Sequence, residues 1–460
     1  MKIKGIKKEK HVSAVRRIGF SFFAVIVVGS ILLSLPAFHR GDISYVNHLF
    51  TATSATCVTG LVTLTVVEDY TFLGQLVILV LIQIGGLGFL TFLSMFIVFF
   101  KKKLTYKTRI VMQEALNQNS IDGINFYINR VIKYTAFFEI VGALLLSIVF
   151  IPDYGLERGI YYAVFHSVSA FCNAGFDLLG SSSLLAYQTN ILVNMVVCGL
   201  IISGGLGFVV WIELKHKIFD AYKKKIGYKK VIKNISVHAK IVLVMTVGLI
   251  FSGMLIFLCL EYNNYDTIGN LSLFNKLQAS FFQSVTLRTA GFATIDIASA
   301  HDATKFFMCA YMLIGGSPAG TAGGIKTVTF AMILLSIYKL AEGRKNVAVF
   351  RRQISNEIVS RATSIATISL FICIIATFML SISETGSFID IMFEVFSAFG
   401  TVGLSASFTS TLTVFGKLVI ICLMFVGRIG PITMMLIFVN RYNQQKGKEI
   451  EYPKGDVLIG

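Results

Sequence analysis

The chain has 460 residues, of which 55% are apolar and only 14% charged, with a mean hydropathy of +0.75; that balance belongs in a bilayer and excludes an ordinary soluble enzyme. The net charge of +17 is concentrated in Lys2–Arg17, Lys101–Arg109, Lys215–Lys240, Lys339–Arg361 and Arg441–Lys448. These tracts alternate with apolar stretches, so they read as the cytoplasmic face of a plasma-membrane protein and imply no nucleic acid partner.

Residues 1–17 are predicted to be a cytoplasmic N-terminus. Phe20–Leu35 follows a basic start, as in a secretory signal, but has no small-x-small cleavage site and reads as a retained membrane helix. Further apolar segments pair along the chain: 18–37 with 72–100, 133–151 with 190–213, 240–260 with 304–340, and 362–382 with 416–440. Their apolar parts are near the ~20 residues that cross a bilayer. Each pair brackets a shorter segment, such as His48–Thr56 or Phe393–Phe399. A helix of about 12 residues is only ~18 Å long, so these segments are predicted to be re-entrant pore helices.

The expected fold class is an all-α membrane protein of four tandem helix–pore loop–helix units. Eight spanning helices and four re-entrant helices would surround a pseudo-four-fold pore. The units are 18–100, 133–213, 240–340 (with a broken second helix) and 362–440, joined by cytoplasmic loops 101–132, 214–239 and 341–361 and ending in a cytoplasmic tail, 441–460. An even span count puts both termini on the side of the basic loops, with Pro152–Arg158 and Glu261–Asn270 outside. The seven cysteines show no C-x-x-C spacing, so neither a zinc site nor a disulfide framework is implied.

The repeat is anchored by Gly60, Gly175, Gly291 and Gly403, which recur every 112–116 residues. Ten residues before them stand Phe50, Phe165, Phe281 and Phe393, and six before stand Ser54, Ser169, Val285 and Ser397. The candidate filter comprises Thr56, Cys57, Val58, Thr59 and Gly60; Phe171, Cys172, Asn173, Ala174 and Gly175; Leu287, Arg288, Thr289, Ala290 and Gly291; and Phe399, Gly400, Thr401, Val402 and Gly403. None of these is Asp or Glu, which excludes a calcium-type carboxylate ring. Carbonyl oxygens must then replace the hydration shell of a weakly hydrated monovalent cation, which is expected to bind at the four glycines. The pore-helix C-termini add negative potential. Only Gly400–Gly403 approaches the T-V-G-Y-G pattern of potassium channels, so fewer tight sites and looser selectivity are expected. Arg288 is expected to point sideways, bracing its loop through carbonyls or a carboxylate.

The second helices also align, at Gly85–Gly88, Gly204–Gly207, Gly315–Pro318 and Gly427–Gly430. Unit three departs from the pattern with Gly315, Gly316, Ser317, Pro318, Ala319, Gly320, Thr321, Ala322, Gly323, Gly324, Ile325 and Lys326. Such a stretch cannot hold a regular helix, so an unwound loop is expected beneath the filter, able to obstruct the pore. Unit four places Arg428 where the others have glycine. At ~5 Å from a cation and an effective dielectric of ~20, its repulsion is ~3 kcal/mol; the alternative is that it ties helix ends together. The loop misses the phosphate-binding pattern, because Ile325 separates Gly324 from Lys326. No histidine spacing supports a hydrolase at Ser317, so no enzyme is expected.

The filter glycines, the GGSPAGTAGGIKT break and the VGRIGP arginine resemble the Trk/Ktr/HKT superfamily of cation transporters. The start directly at the first unit, without an additional hairpin, and the YPKGDVLIG ending are most similar to its KtrB-type membrane subunits. The resemblance implies potassium uptake, often sodium-dependent, by a homodimer with one pore per subunit and dimer contacts near Ile459 and Gly460. It also implies a cytoplasmic ring of KtrA-type subunits with RCK domains. This chain has no dinucleotide fingerprint, so any nucleotide would bind through that partner. The alternative on the same scaffold is a sodium-selective or non-selective monovalent cation channel; glycine at position 60, where some sodium-conducting relatives have serine, favours potassium.

Overall fold

The computed structural model describes residues 14–88, 124–180, 182–223, 225, 233–343, 346–431 and 433–434. Outside these residues lie the start of the expected N-terminus, the end of the first unit's second helix with most of its basic loop, part of loop 214–239, and the tail with Ile459 and Gly460.

Unit one contains α1 (Ala14–Leu33), α2 (Tyr45–Cys57), the single turn α3 (Val66–Asp69) and α4 (Phe72–Leu87). Unit two contains α5 (Ile124–Tyr154), α6 (Leu156–Cys172), α7 (Ile191–Gly205) and α8 (Phe208–Lys223). Unit three contains α9 (Val237–Glu261), α10 (Leu273–Thr286), α11 (Asp302–Met312) and α12 (Thr327–Ala341). A small antiparallel hairpin, β1 (Val347–Val349) and β2 (Arg352–Ile354), precedes unit four: α13 (Asn356–Ser383), α14 (Phe388–Gly400) and α15 (Val414–Ile429). The second helices of units one, two and four each begin at a side-chain cap, Thr71, Asn190 or Thr413, which accepts from the backbone N–H of Gly74, Val193 or Gly416.

Polarity is arranged for lipid. On α5, Phe137, Ile140, Leu144 and Ile148 are exposed at helical spacing, as are Val244, Val247 and Phe251 on α9 and Phe371, Ile374 and Phe378 on α13. Meanwhile Thr51, Thr53, Ser54 and Thr56 of α2 are fully or almost fully buried. Water would not tolerate that inversion on such a scale; hydrocarbon requires it. Tyr127–Tyr154, Val237–Glu261 and Asn356–Ser383 are each long and apolar enough to cross a bilayer. The short helices α2, α6, α10 and α14 are exposed at their first turns and buried toward their C-terminal ends. One apolar core is formed mainly by units one and two, with Phe282, Val285, Ala290 and Phe292 of unit three joining it, and a second mainly by units three and four, with Ile26, Phe50, Cys57 and Leu61 of unit one joining it.

Several elements differ from expectation: the second helices of units one and four end at Leu87 and Ile429, before Gly88 and Gly430 with positive φ of 80° and 94°, and α13 begins at Asn356 instead of near residue 362. The second helix of unit two is not continuous over 190–213: it breaks between Gly205 and Phe208 and turns through 96°. Gly207 takes a left-handed φ of 85° there, and the freed Phe208 N–H donates to the carbonyl of Ala319 at 3.0 Å. The unit-three loop therefore supplies a partner that a continuous helix would not need. The outer helix of unit two also begins at Ile124 instead of near residue 133.

Close approach explains why glycine recurs in the second helices. A Cβ on Gly204 would lie 1.9 Å from the carbonyl oxygen of Phe171, and Gly85 and Gly427 meet Thr56 and Phe399 in the same way. Gly204→Ala is expected to lower thermal stability by about 1–3 kcal/mol, the usual cost of overpacking. Gly199→Ala, on the same helix with nothing within 4 Å, should leave stability unchanged or raise it by up to ~1 kcal/mol. Intrinsic-fluorescence melting of the detergent-purified protein would separate the two.

Candidate functional site: a four-fold glycine ring and the loop beneath it

Each short buried helix ends in a left-handed turn. Val58, Asn173, Thr289 and Thr401 have φ of 57°, 60°, 64° and 52°, and two residues later Gly60, Gly175, Gly291 and Gly403 have φ of 96°, 70°, 77° and 93°. Two left-handed residues in alternation turn the chain sharply back from the helix end.

The glycines close into a ring. A Cβ on Gly60 would lie 2.6 Å from the oxygen of Ala174, one on Gly175 2.8 Å from that of Ala290, and one on Gly291 2.6 Å from that of Val402. A Cβ on Gly403 would lie 2.1 Å from the oxygen of Thr59, which returns the circuit to unit one. The order around the axis is thus one, two, three, four, and units two and four face each other. No carboxylate belongs to the ring, and the hydroxyls of Thr56, Thr59, Thr289 and Thr401 are buried without a hydrogen-bond partner.

Serines brace three of the turns. Ser54 Oγ accepts from Gly60 N–H and Ser397 Oγ from Gly403 N–H, both at 3.1 Å, while Ser169 Oγ donates to the Phe176 carbonyl at 2.7 Å. In unit three the equivalent is Thr286, not Val285: its Oγ1 donates to the Phe292 carbonyl at 2.7 Å. The backbone agrees, since Ala290 N–H reaches Thr286, whereas Thr59, Ala174 and Val402 reach Ser54, Ser169 and Ser397. Burial agrees too: Phe282, not Phe281, is fully buried like Phe50, Phe165 and Phe393. The unit-three turn is one residue tighter, and an alignment anchored on glycine conceals the shift.

Around the turns, Cys57, Phe171, Cys172, Ala174, Leu287, Ala290, Phe399, Gly400 and Val402 are all buried. Arg288 points away from the ring toward α9, with Nη2 3.5 Å from Thr246 Oγ1. A hydroxyl, instead of the expected carbonyl or carboxylate, is its partner.

The segment Leu313–Lys326 is non-helical and lies against the filter turns of units two and four. At its base Gly315 N–H donates to Ile325 O, Ile325 N–H to Leu313 O and Thr327 N–H to Gly316 O. Its outer arm docks on the broken end of α7, with Ser317 N–H on Gly205 O and Thr321 N–H on Gly204 O; Pro318 and Gly320 lie against Gly207. Thr321 Oγ1 is 2.8 Å from Asn173 Oδ1 and 3.1 Å from Phe171 O in unit two. Gly323 abuts Thr401 Oγ1, and Gly324 abuts Gly400 O, in unit four. The loop of unit three thus rests on the filter turns of both units adjacent to its own. Ser317 Oγ pairs with Thr327 Oγ1 at 3.2 Å, and Lys326 Nζ folds back onto Ala322 O at 2.6 Å.

Arg428 locks this arrangement. Nη1 donates to Thr321 O of the loop, and Nη2 donates to Gly85 O and, at 3.3 Å, to Gly86 O at the end of α4. One guanidinium from unit four thereby bridges units three and one. Its hydrogen bonds join the end of α4 to the loop.

Fold and polarity together define a multi-pass membrane protein whose repeated units meet at a ring of glycines. The chain matches the TrkH family of cation transport proteins over residues 16–450 and belongs to it. It is 41% identical over 457 residues to the potassium/sodium uptake protein NtpJ of Enterococcus hirae, with 98% of each chain covered. It is 40% identical to the Ktr system potassium uptake protein B of Bacillus subtilis, covering 99% of this chain and all of that one. The protein of the same description from Vibrio alginolyticus is 35% identical over 97% of this chain and 94% of its own. In fold, the chain resembles the potassium transporter TrkH of Vibrio parahaemolyticus, with a TM-score of 0.72, 15% identity, and 95% and 87% of the two chains covered.

Removing one brace should loosen the ring without unfolding the protein. Thr286→Val and Ser169→Ala each delete one buried hydrogen bond, worth about 1 kcal/mol, and are expected to reduce discrimination between alkali cations in vesicle flux. Unaltered discrimination in both would contradict the bracing role.

Proposed function

We propose that the protein takes up potassium across the plasma membrane through a filter built from the main chain around Gly60, Gly175, Gly291 and Gly403. The observation that carries this reading is the ring: four glycines, each pressed against the next unit's backbone, leave only main-chain and hydroxyl oxygens to face the axis. A weakly hydrated monovalent cation can exchange its water shell for such oxygens, while a divalent ion would demand carboxylates. The names of the relatives support potassium. The potassium/sodium description of the Enterococcus hirae protein keeps sodium as co-substrate, or as the ion of a less selective channel, as the second reading.

In this proposal Gly315–Lys326 is the gate and Arg428 its latch. Neither the loop nor the arginine can stay in place while a cation passes on the axis. The carbonyls of Thr321, Gly85 and Gly86 offset part of the arginine's charge, so its repulsion is below the bare ~3 kcal/mol at ~5 Å. Opening requires the loop to leave Asn173 and Thr401. The basic segments and both termini face the cytoplasm, two copies form a homodimer, and a KtrA-type ring of RCK domains, which would carry any nucleotide, pulls on the gate. The Ktr-system descriptions of the relatives support a multi-component assembly of this kind.

In cells without their own potassium transporters, the chain with its cytoplasmic partner should restore growth at low potassium. Gly291→Ser, which forces a side chain into the Val402 carbonyl, should abolish that rescue with membrane levels unchanged. Arg428→Ala, or shortening of Gly315–Gly324, should raise flux about tenfold, the effect of ~1.4 kcal/mol of barrier, and weaken dependence on the partner. Unchanged flux in both would contradict the gate.

A further inference from the structure

Glu139 lies in the middle of α5, flanked by the exposed apolar residues Phe137, Ile140 and Leu144, where a carboxylate is costly and calls for a role. Among the described residues it is seen with no cationic partner. Its carboxylate Oε1 instead accepts from the Gln83 amide, Nε2, at 3.0 Å. The other end of that amide, Gln83 Oε1, accepts from Cys172 Sγ at 3.4 Å. Cys172 Sγ in turn fills the space over Gly86, 2.6 Å from where a Cβ would stand. Gly85 and Gly86 supply two of the three carbonyls that hold Arg428. A continuous path thus runs from a lipid-depth carboxylate in unit two, through α4 of unit one, to the guanidinium of unit four.

We propose that Glu139 is a positioning residue for the gate: through Gln83 and Cys172 it fixes the end of α4 so that its carbonyls cradle Arg428 under the ring. The inference rests on the reading of Arg428 as latch. The amide of Gln83 is held at both ends, oxygen by the thiol and nitrogen by the carboxylate, so its orientation is set by hydrogen-bond chemistry. Without the acceptor at position 139 the amide loses one anchor, and the last turn of α4 can shift its carbonyls. A latch with displaced acceptors holds the loop less well.

The test is a double-mutant cycle on the full chain expressed with its partner in potassium-transport-deficient cells, with uptake normalised to membrane-inserted protein. Glu139→Leu and Gln83→Leu are each expected to raise uptake measured without the partner about three- to tenfold. Glu139→Gln, which retains an acceptor oxygen, should stay near wild type. In an Arg428→Ala background, Glu139→Leu should add nothing, because the latch it positions is gone. Equal losses of uptake in both backgrounds would mean a merely structural residue and overturn the proposal. So would wild-type behaviour of Glu139→Leu when Arg428→Ala alone raises flux; that outcome leaves the latch standing. If Arg428→Ala raises nothing, the latch reading fails and the Glu139 proposal falls with it.

Discussion

Glycine meeting a neighbour's carbonyl at van der Waals contact is the interaction on which the rest of the structure depends. At each of four positions the main chain of one unit occupies the space a side chain would need on the next. Four such contacts in cyclic order force the units into a ring and bring irregular backbone to membrane depth. Backbone there must be buried in protein or face water, because lipid cannot satisfy it. The outer helices, with their exposed Phe, Ile and Leu, and the short helices buried behind the ring are the two layers that meet this condition.

The same constraint accounts for the loop below. Unwinding Leu313–Lys326 strands a dozen backbone groups, and the break in α7 strands several more. The two irregular segments satisfy each other, Ser317 and Thr321 donating to Gly205 and Gly204 while Phe208 donates to Ala319. Arg428 then gathers carbonyls from the loop and from α4, so that a buried charge is solvated by dipoles rather than by a counter-ion. The arrangement is strong enough to hold a loop in place and is not covalent. In the account proposed above, that is what a gate under the control of a partner needs.

Much of this was legible in the sequence. The four glycines, the loss of helical character after Gly315 and the arginine at 428 all stand out, because each violates what an apolar helix tolerates. The all-α membrane fold followed from apolar segment lengths and the placement of Lys and Arg. Three things were not legible. Thr286 stands in for the serine of the other units, but counting back from Gly291 points to Val285, since one residue fewer in a turn leaves no mark on composition. GGLGF ends the helix in unit one as well, with Gly88 at φ 80° beside Gly207 at 85°, but the 96° turn of unit two and the partner its Phe208 N–H finds on Ala319 of another unit leave no mark in the sequence. Glu139 and Gln83 carry no motif, and only their proximity to Cys172 and Gly86 gives them meaning. A carboxylate inside an apolar run was nevertheless a signal available to be read.

The most direct test of the central claim, that the glycine ring is the ion-coordinating element, is a structure determined with rubidium or thallium in place of potassium, using anomalous scattering to place the ions. The account requires density on the axis, ringed by main-chain oxygens next to Gly60, Gly175, Gly291 and Gly403, above the loop that carries Thr321. Well-ordered ions elsewhere in the membrane region, with the axis empty at the ring, would contradict it.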